Sequence, residues 1–193
     1  MKEIEILYTL QTNIESTKKL LAEKVGFVDA IVVDDWYYAR DDVHGLSPDE
    51  DGRLRSSLRL RKRGDKHYVA YKHDHFDDNE MWLFSDEHET LVGDIEIMQD
   101  IFSKLLFTEL VHVVNKKFRY ENDIYEIVLE DVLGLGNFIE IEFKGDAKDF
   151  SHEQIVEKKQ EMRAFLELLG VKVGEEMNAG KPELLLRKNK QQA

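Results

Sequence analysis

Hydrophobic and polar residues alternate along much of this chain, a pattern typical of β-strands whose two faces meet different surroundings. In the opening segment KEIEILYTL, Glu3, Glu5 and Leu7 share one face, and the apolar residues between them point to the other. The same alternation predicts strands at residues 3–10, 30–38, 54–63, 66–72, 87–92, 111–120, 124–129 and 137–144, with a shorter one at 171–173.

Three segments, at residues 13–25, 94–107 and 151–169, carry apolar residues at helical spacing instead. The last has the clearest ends, because Ser151 and Gln154 have the spacing of a capping box and Gly170 follows as a stop. The resulting order of strands and helices suits an antiparallel α+β fold better than regular βαβ winding. We expect one domain over residues 1–186 and a disordered tail at 187–193.

The polar faces of the predicted strands carry charges that are sorted by strand. The like-charged pairs are Glu3 with Glu5, Glu87 with Glu89, Glu140 with Glu142, Arg59 with Arg61, and Lys117 with Arg119. A sheet with one solvated face also alternates, and that interpretation stays open for any single strand. A solvated face usually mixes the signs, however, and three amphipathic helices need an apolar surface to cover. Together these features favour a rolled sheet with its charged side lining a barrel.

The composition narrows the classes of partner. A net charge of −13 argues against a general nucleic-acid or anionic-membrane surface. No segment approaches the ~20 apolar residues of a membrane span. The chain has no cysteine, which excludes disulfides and thiolate chemistry, and its first residues lack a signal-peptide pattern. These features favour the cytoplasm.

Basic residues are concentrated in the segment RLRSSLRLRKR, at residues 53–63. On a strand, one face of this segment would carry Arg53, Arg55, Arg59, Arg61 and Arg63. An acidic protein that concentrates its arginines in this way is a candidate for binding a small polyanion.

Five motifs occur in a fixed order along the chain: an ExE start, a strand ending in LRLR, a strand ending in VAYK, a KxR strand, and the segment LEDVLGLGNFIEIE. Together they resemble the CYTH superfamily, the triphosphate tunnel metalloenzymes, whose best-known members are class IV adenylyl cyclases and thiamine triphosphatases. The resemblance spans roughly residues 1–170, and the last segment is its most specific part.

The resemblance implies a closed eight-stranded antiparallel β-barrel, flanked by about three helices, whose charged tunnel holds a triphosphate and Mg²⁺ or Mn²⁺. Triphosphate-binding residues are implied at Arg59, Arg61, Lys72, Lys117 and Arg119. Metal ligands are implied at Glu3, Glu5, Glu140 and Glu142. Further acidic lining is implied at Glu87, Glu89 and Glu130. No catalytic residue is assigned.

Leu7 departs from the family signature, which has a lysine on the same face as the two glutamates. Leucine removes a cation from one end of the implied tunnel and weakens the case for efficient turnover. If Leu7 faces a water-filled tunnel, Leu7→Lys is expected to raise kcat/KM with little loss of stability. If Leu7 faces the core, the same change is expected to destabilise the protein.

Three functions are compatible with such a tunnel. The first is metal-dependent hydrolysis of an organic or inorganic triphosphate. The second is a class IV-type adenylyl cyclase, which makes cyclic AMP and pyrophosphate from ATP, and the third is a non-catalytic triphosphate- or polyphosphate-binding module. The expected ligand is ATP, thiamine triphosphate or tripolyphosphate, with no nucleic-acid or membrane partner. The oligomeric state is left open, with a homodimer as one alternative.

Overall fold

The chain forms one curled antiparallel sheet with helices packed against it. The computed structural model describes residues 2–43, 45–50 and 52–192, and all elements below lie within these ranges. The strands are β1 (Lys2–Glu3), β2 (Glu5–Leu10), β3 (Gly26–Ala39), β4 (Ser56–Arg63), β5 (Lys66–Phe76), β6 (Trp82–Val92), β7 (Thr108–Glu121), β8 (Tyr125–Val132), β9 (Gly136–Phe143) and β10 (Val173–Glu176). The helices are α1 (Ile14–Lys24), α2 (Ile95–Lys104), α3 (His152–Leu169) and α4 (Lys181–Gln192). Within the described ranges, no helix has the length and apolarity needed to cross a membrane.

The ten strands of the described residues follow the order β1-β6-β5-β4-β3-β7-β8-β9-β2-β10. The sheet is a curled half-barrel, so the expectation of a closed eight-stranded barrel is wrong. The reason lies in the N-terminal segment, where β1 pairs with β6 whereas β2 pairs with β9. The second edge of β2 is taken by β10, and only the two residues of β1 reach β6 from this segment.

The outer face of the sheet is apolar and holds α1, α2 and α3, as the sequence predicts. Ile6 of β2 and Ile141 of β9 belong to a buried cluster with Leu21 of α1 and Met162 of α3. The helix α3 begins at the expected capping box, in which the Ser151 side chain accepts a hydrogen bond from the Gln154 backbone N–H. Packing on this side leaves the charged side chains of the same strands pointing inward.

The inner face is charged over most of its length but apolar at one end. This apolar end contains Leu7, Tyr37, Val113, Val132 and Phe138. Three leucines of α4, at positions 184–186, pack against it. Leu7 is only 2% exposed although it shares a strand face with Glu3 and Glu5. Leu7 therefore points inward, as expected for a residue of the tunnel face, but it packs in an apolar cluster rather than facing water.

The helix α4 was not expected, since the sequence analysis assigned residues 187–193 to a disordered tail. Residues 181–192 are helical, and Ala193 lies outside the described residues. Pro182 suits the first turn, where a backbone N–H has no helical acceptor. The buried Glu183 side chain accepts a hydrogen bond of 3.1 Å from the backbone N–H of Leu54. This hydrogen bond joins residues 129 positions apart in the chain, so no local sequence pattern indicates it.

The start of β4 differs from the prediction and changes the expected row of arginines. The strand begins at Ser56, and Arg53 and Arg55 precede it. Arg55 donates to the Glu80 carboxylate at 2.8 Å, and Arg53 donates to the Glu80 carbonyl at 3.0 Å. The expectation that all five arginines share one strand face is therefore wrong for these two.

We predict that Leu7→Lys destabilises the protein, because it would bury a second ammonium at the apolar end while the nearby Glu140 is already paired with Lys181. An unpaired buried charge costs several kcal/mol, which corresponds to a fall in Tm on the order of 10 °C for a chain of this size. Leu7→Met, of similar volume, should lower Tm by less than about 5 °C. If Leu7→Lys left Tm unchanged and raised kcat/KM, Leu7 would have to face a water-filled tunnel instead of the apolar cluster.

Candidate functional site

The charged part of the inner face surrounds a cavity of about 560 Å³. The cavity brings together these residues of the predicted site: Glu3, Glu5, Arg59, Arg61, Lys72, Glu87, Glu89, Lys117, Arg119, Glu140 and Glu142. Leu7 reaches the lining at the apolar end. Glu130 is fully buried and does not itself line the cavity, but it binds Lys117 and Lys181, which do.

Two arginines of β4 point into the cavity, each held by a carboxylate. Arg61 is bidentate with Asp35 of β3, since its Nε and Nη2 donate to the two carboxylate oxygens at 2.7 and 2.9 Å. Burial raises the pKa of Asp35, but Arg61 and then Arg59 outweigh burial and bring the pKa to about 2. Arg59 donates from Nη2 to Glu87 at 2.7 Å, while its buried Nε–H has no acceptor among the described residues. Such an unused donor suits an anionic ligand.

Lys72 of β5 lies between two carboxylates of the N-terminal segment. Its Nζ is 3.1 Å from Glu3 Oε2 and also contacts Glu5 Oε1. Burial raises the pKa of Glu3 to about 8, opposed by Lys72 and helped by neighbouring glutamates. Burial, followed by repulsion from Glu5, likewise raises the pKa of Glu142 to about 8. Among the described residues, this part of the cavity therefore contains more carboxyl groups than the single ammonium group of Lys72 can neutralise.

A second cluster of charges lies toward α4. Lys117 Nζ of β7 is 2.9 Å from Glu130 Oε1, and Lys181 Nζ of α4 is 2.6 Å from Glu130 Oε2. Lys181 also contacts Glu140, and Asn115 Nδ2 donates to Glu130 Oε1 at 2.8 Å. Burial lowers the pKa of Lys181, but Glu130 and Glu140 outweigh burial, so the pKa is raised and the ammonium stays charged.

Arg119 of β7 is a further cation of the cavity. Its Nη2 donates to Glu126 of β8 at 2.7 Å, and its Nη1 donates to Asp29 of β3 at 3.0 Å. The hydrogen bond with Glu126 is the largest cause of a raised Arg119 pKa. The guanidinium is 20% exposed, so it remains accessible to solvent.

The carboxylates of the cavity fit a hard divalent cation by their donor chemistry. Glu5, Glu142 and Glu126 lie in one row across β2, β9 and β8, each opposite the next. Directly paired residues have their Cβ atoms about 5 Å apart, and carboxylate oxygens are the donors that Mg²⁺ and Mn²⁺ prefer. In the part of the chain that the structure describes, no three acids or histidines already form a metal-binding group. The residues present therefore have the donor atoms that the metal prefers, and Glu3, Glu5 and Glu142 lie where carboxyl groups outnumber the ammonium group of Lys72.

Asp35, Glu126 and Lys181 are among the charged residues of the lining that the sequence reasoning missed. Asp35 shares the inner face of β3 with Tyr37, and its alternation along that strand could have identified it. Glu126 alternates with apolar residues along β8 and lines the cavity, but its pairing with Arg119 depends on strand register. Lys181 carried no signal, because its partners lie some forty to fifty positions away and its helix was not predicted.

The comparison with protein families identifies the class of this protein. The CYTH domain model matches residues 1–175, which is most of the chain. The chain therefore belongs to the CYTH family, and the resemblance of its motifs is confirmed. The helix α4, with Lys181, lies beyond the matched residues.

Individual relatives agree with this assignment. The protein named "Putative adenylate cyclase MJ0240" of Methanocaldococcus jannaschii is 28% identical over 142 residues, which cover 74% of this chain and 77% of that protein. The solved structure of the PH1819 protein from Pyrococcus horikoshii has a TM-score of 0.76 at 25% identity, covering 96% of this chain and 99% of that one. A structure from Vibrio parahaemolyticus titled as a putative adenylate cyclase has a TM-score of 0.72 at 14% identity, with 95% and 97% covered, and shows the shared fold.

We predict that Glu142→Gln stabilises the metal-free protein at high pH. A carboxyl with a raised pKa in the folded state favours folding at low pH, and this contribution is lost as the pH rises through about 8. The variant cannot ionise, so at pH 9 its Tm should exceed that of the unmodified protein by on the order of 3 °C, with no difference near pH 4. Thermal unfolding at both pH values measures this.

The matched control for this prediction is Glu23→Gln, on the exposed face of α1. It should show no such pH-dependent difference. An equal Tm difference for Glu142→Gln at pH 4 and pH 9 would contradict the burial of an ionisable Glu142 beside other carboxylates.

Proposed function

We propose that this CYTH protein binds a small-molecule triphosphate in the cavity together with Mg²⁺ or Mn²⁺ and hydrolyses it. The observation that carries the proposal is the convergence of cationic side chains on one cavity in a protein whose net charge is −13. These cations come from β4, β5, β7 and α4, so the sheet assembles them from distant parts of the chain. Carboxylates of the protein itself pair with these cations, and phosphoryl oxygens would take over part of those contacts.

The side chains differ in what they would contribute. The guanidinium groups of Arg59 and Arg61 can form paired hydrogen bonds with phosphoryl oxygens, and the unused Nε–H of Arg59 is one available donor. The ammonium groups of Lys72 and Lys117 would act as point charges. Phosphoryl transfer depends mainly on positioning and on charge stabilisation, which are what such a set supplies.

The charge balance of the cavity supports binding of the metal together with the triphosphate. Among the described residues, the lining contains ten Asp and Glu but only seven Lys and Arg side chains. Glu3 and Glu142, whose pKa values are raised to about 8, are largely protonated near neutral pH, and a triphosphate alone would bring negative charge next to these acids without a cation to neutralise it. Glu3, Glu5, Glu140 and Glu142 would hold the cation, with Glu140 also bound to Lys181. When bound, the cation would neutralise phosphate oxygens and lower the pKa of an attacking water.

The second candidate is cyclisation of ATP to cyclic AMP and pyrophosphate. It is favoured by the printed name of the Methanocaldococcus jannaschii relative, a putative adenylate cyclase that is 28% identical. In hydrolysis, water attacks the terminal phosphorus, whereas in cyclisation the ribose 3′-hydroxyl attacks the α-phosphorus. The same cavity would support either reaction, because the outcome depends on how the substrate is oriented.

A product assay tests the proposal. The purified protein is incubated with ATP, thiamine triphosphate or tripolyphosphate, each with Mg²⁺ and with Mn²⁺, and the products are separated. Release of inorganic phosphate is the expected result. Formation of cyclic AMP and pyrophosphate would show that the protein is a cyclase, the second candidate. Binding without turnover would show that it is a non-catalytic binding module. If no triphosphate binds, the proposal is rejected.

We predict that Arg59→Lys weakens binding of tripolyphosphate about tenfold to a hundredfold, because it keeps the charge but removes the planar guanidinium fork, and a charge-assisted hydrogen bond is worth about 1.5–3 kcal/mol. Calorimetric titration in the presence of Mg²⁺ measures this.

The matched control is Arg55→Lys, from the same arginine-rich segment but outside the cavity. It should leave the affinity unchanged. Equal effects of the two substitutions would count against the placement of the triphosphate beside Arg59.

A further inference from the structure

One flank of α2 carries an apolar row that the sheet does not cover. The helix already buries one face, where Phe102 packs against Tyr38 and Leu60. The residues of the row follow at four-residue spacing, so they share a flank of the helix, and one more leucine continues the row past the helix end. This α2 row consists of Ile97, Ile101, Leu105 and Leu106, which are 59%, 40%, 51% and 77% exposed, respectively. An apolar row beside a face that is already packed is typical of a contact surface.

The end of α2 holds Leu106 exposed in an unfavourable backbone conformation. The helix closes with a Schellman motif, in which the Phe107 N–H donates to the Phe102 carbonyl at 2.9 Å and the Leu106 N–H donates to the Ser103 carbonyl at 3.0 Å. Leu106 has a φ of +64°, a left-handed conformation for which glycine is the usual residue. A leucine at this position gains little burial within its own chain, which indicates that its side chain serves a contact with another molecule.

The charges beside the α2 row are complementary to those of a second, antiparallel copy of the same helix. Asp100 and Lys104 are one turn apart, contact each other and are mostly exposed. A two-fold axis through Ile101 would place Ile97 opposite Leu105 of the second copy. With a rise of 1.5 Å per residue, Lys104 would then lie within about 3 Å, along the helix axis, of Asp100 of the second copy. Each acid would therefore meet a base, and the two helix dipoles would run in opposite directions.

We propose that the α2 row is the contact through which two copies of this chain associate about a two-fold axis, with Ile101 at its centre. Such a contact is self-complementary, because the same surface is used on both copies. The row from Ile97 to Leu105 is about 12 Å long, which places the contact at the small end of protein interfaces. The net charge of −13 on each copy opposes association, and salt screens this repulsion. The expected dissociation constant is therefore in the micromolar range.

A different protein with an apolar surface is the competing occupant of the α2 row. The self-complementary charges favour a second copy, since an unrelated partner does not require Asp100 and Lys104 to match under a two-fold axis. The two explanations differ in self-association. Only a second copy makes the molecular mass of the purified protein depend on its concentration. The proposal is independent of the proposed function, because the α2 row lies outside the cavity.

The first experiment is sedimentation equilibrium of the purified chain from low to high micromolar concentration, at physiological ionic strength. The unmodified protein should approach the mass of a dimer at the upper end. Ile101→Asp should weaken association at least tenfold, because the two-fold axis brings two carboxylates together in an apolar contact. The matched control is Ile124→Asp, since Ile124 is an exposed isoleucine in the turn before β8. This control should dimerise like the unmodified protein.

The second experiment tests the charge pairing with exposed residues, whose substitution leaves the fold intact. Asp100→Lys places like charges beside each other across the contact and should weaken the dimer about threefold to tenfold. Adding Lys104→Asp to this variant restores the pairing with the signs exchanged. The double variant should return to within about threefold of the unmodified affinity. Failure of this recovery would overturn the antiparallel two-fold arrangement.

The third experiment separates association from the stability of the single chain. Leu106→Gly removes the exposed side chain and should weaken the dimer about threefold or more. In dilute solution, where the chain is monomeric, its Tm should not fall, because glycine suits the left-handed backbone at this position. A lower Tm of the dilute variant would assign Leu106 to the fold of the single chain. A monomer at every concentration, or a dimer unaffected by Ile101→Asp, would overturn the proposal.

Discussion

The interior of this protein depends on neutralising carboxylates that the strands turn toward one another. Glu130 shows the principle, because it is fully buried and its carboxylate oxygens contact Lys117, Lys181 and the amide of Asn115. Asp35 is held in the same way by Arg61. Where cations are fewer, around Glu3 and Glu142, burial raises the carboxyl pKa instead. The cavity is therefore balanced at one end and acidic at the other.

This imbalance links the fold to the proposed chemistry. An apolar core would fold without any ligand, whereas a cavity with excess acids gains stability from a divalent cation and then attracts phosphate oxygens. The arginines of β4 and the lysines of β5 and β7 would hold the phosphates that the metal brings in. The sheet does not need to close fully for this, because its curl already brings β2 and β6 onto the same cavity.

Much of the fold and the charged inner face of the strands could be predicted from alternation, whereas the roles assigned to those charged residues came from the resemblance to the CYTH family. The inward direction of Arg59, Glu140 and Glu142 follows from strand periodicity, and the outer apolar face follows from the same pattern. Features set by contacts between distant segments could not be predicted. Two examples are the pairing of β10 with the second edge of β2 and the packing of the α4 leucines on the apolar cluster around Leu7.

The central claim is that the acidic cavity takes up a triphosphate only together with a divalent cation. Calorimetric titration of tripolyphosphate into the metal-free protein, with chelator and then with millimolar Mg²⁺, measures this directly. We expect no detectable binding with chelator and saturable binding of one tripolyphosphate per chain with Mg²⁺. Equally tight binding in both conditions would contradict it, because the cations of the cavity would then suffice without a metal.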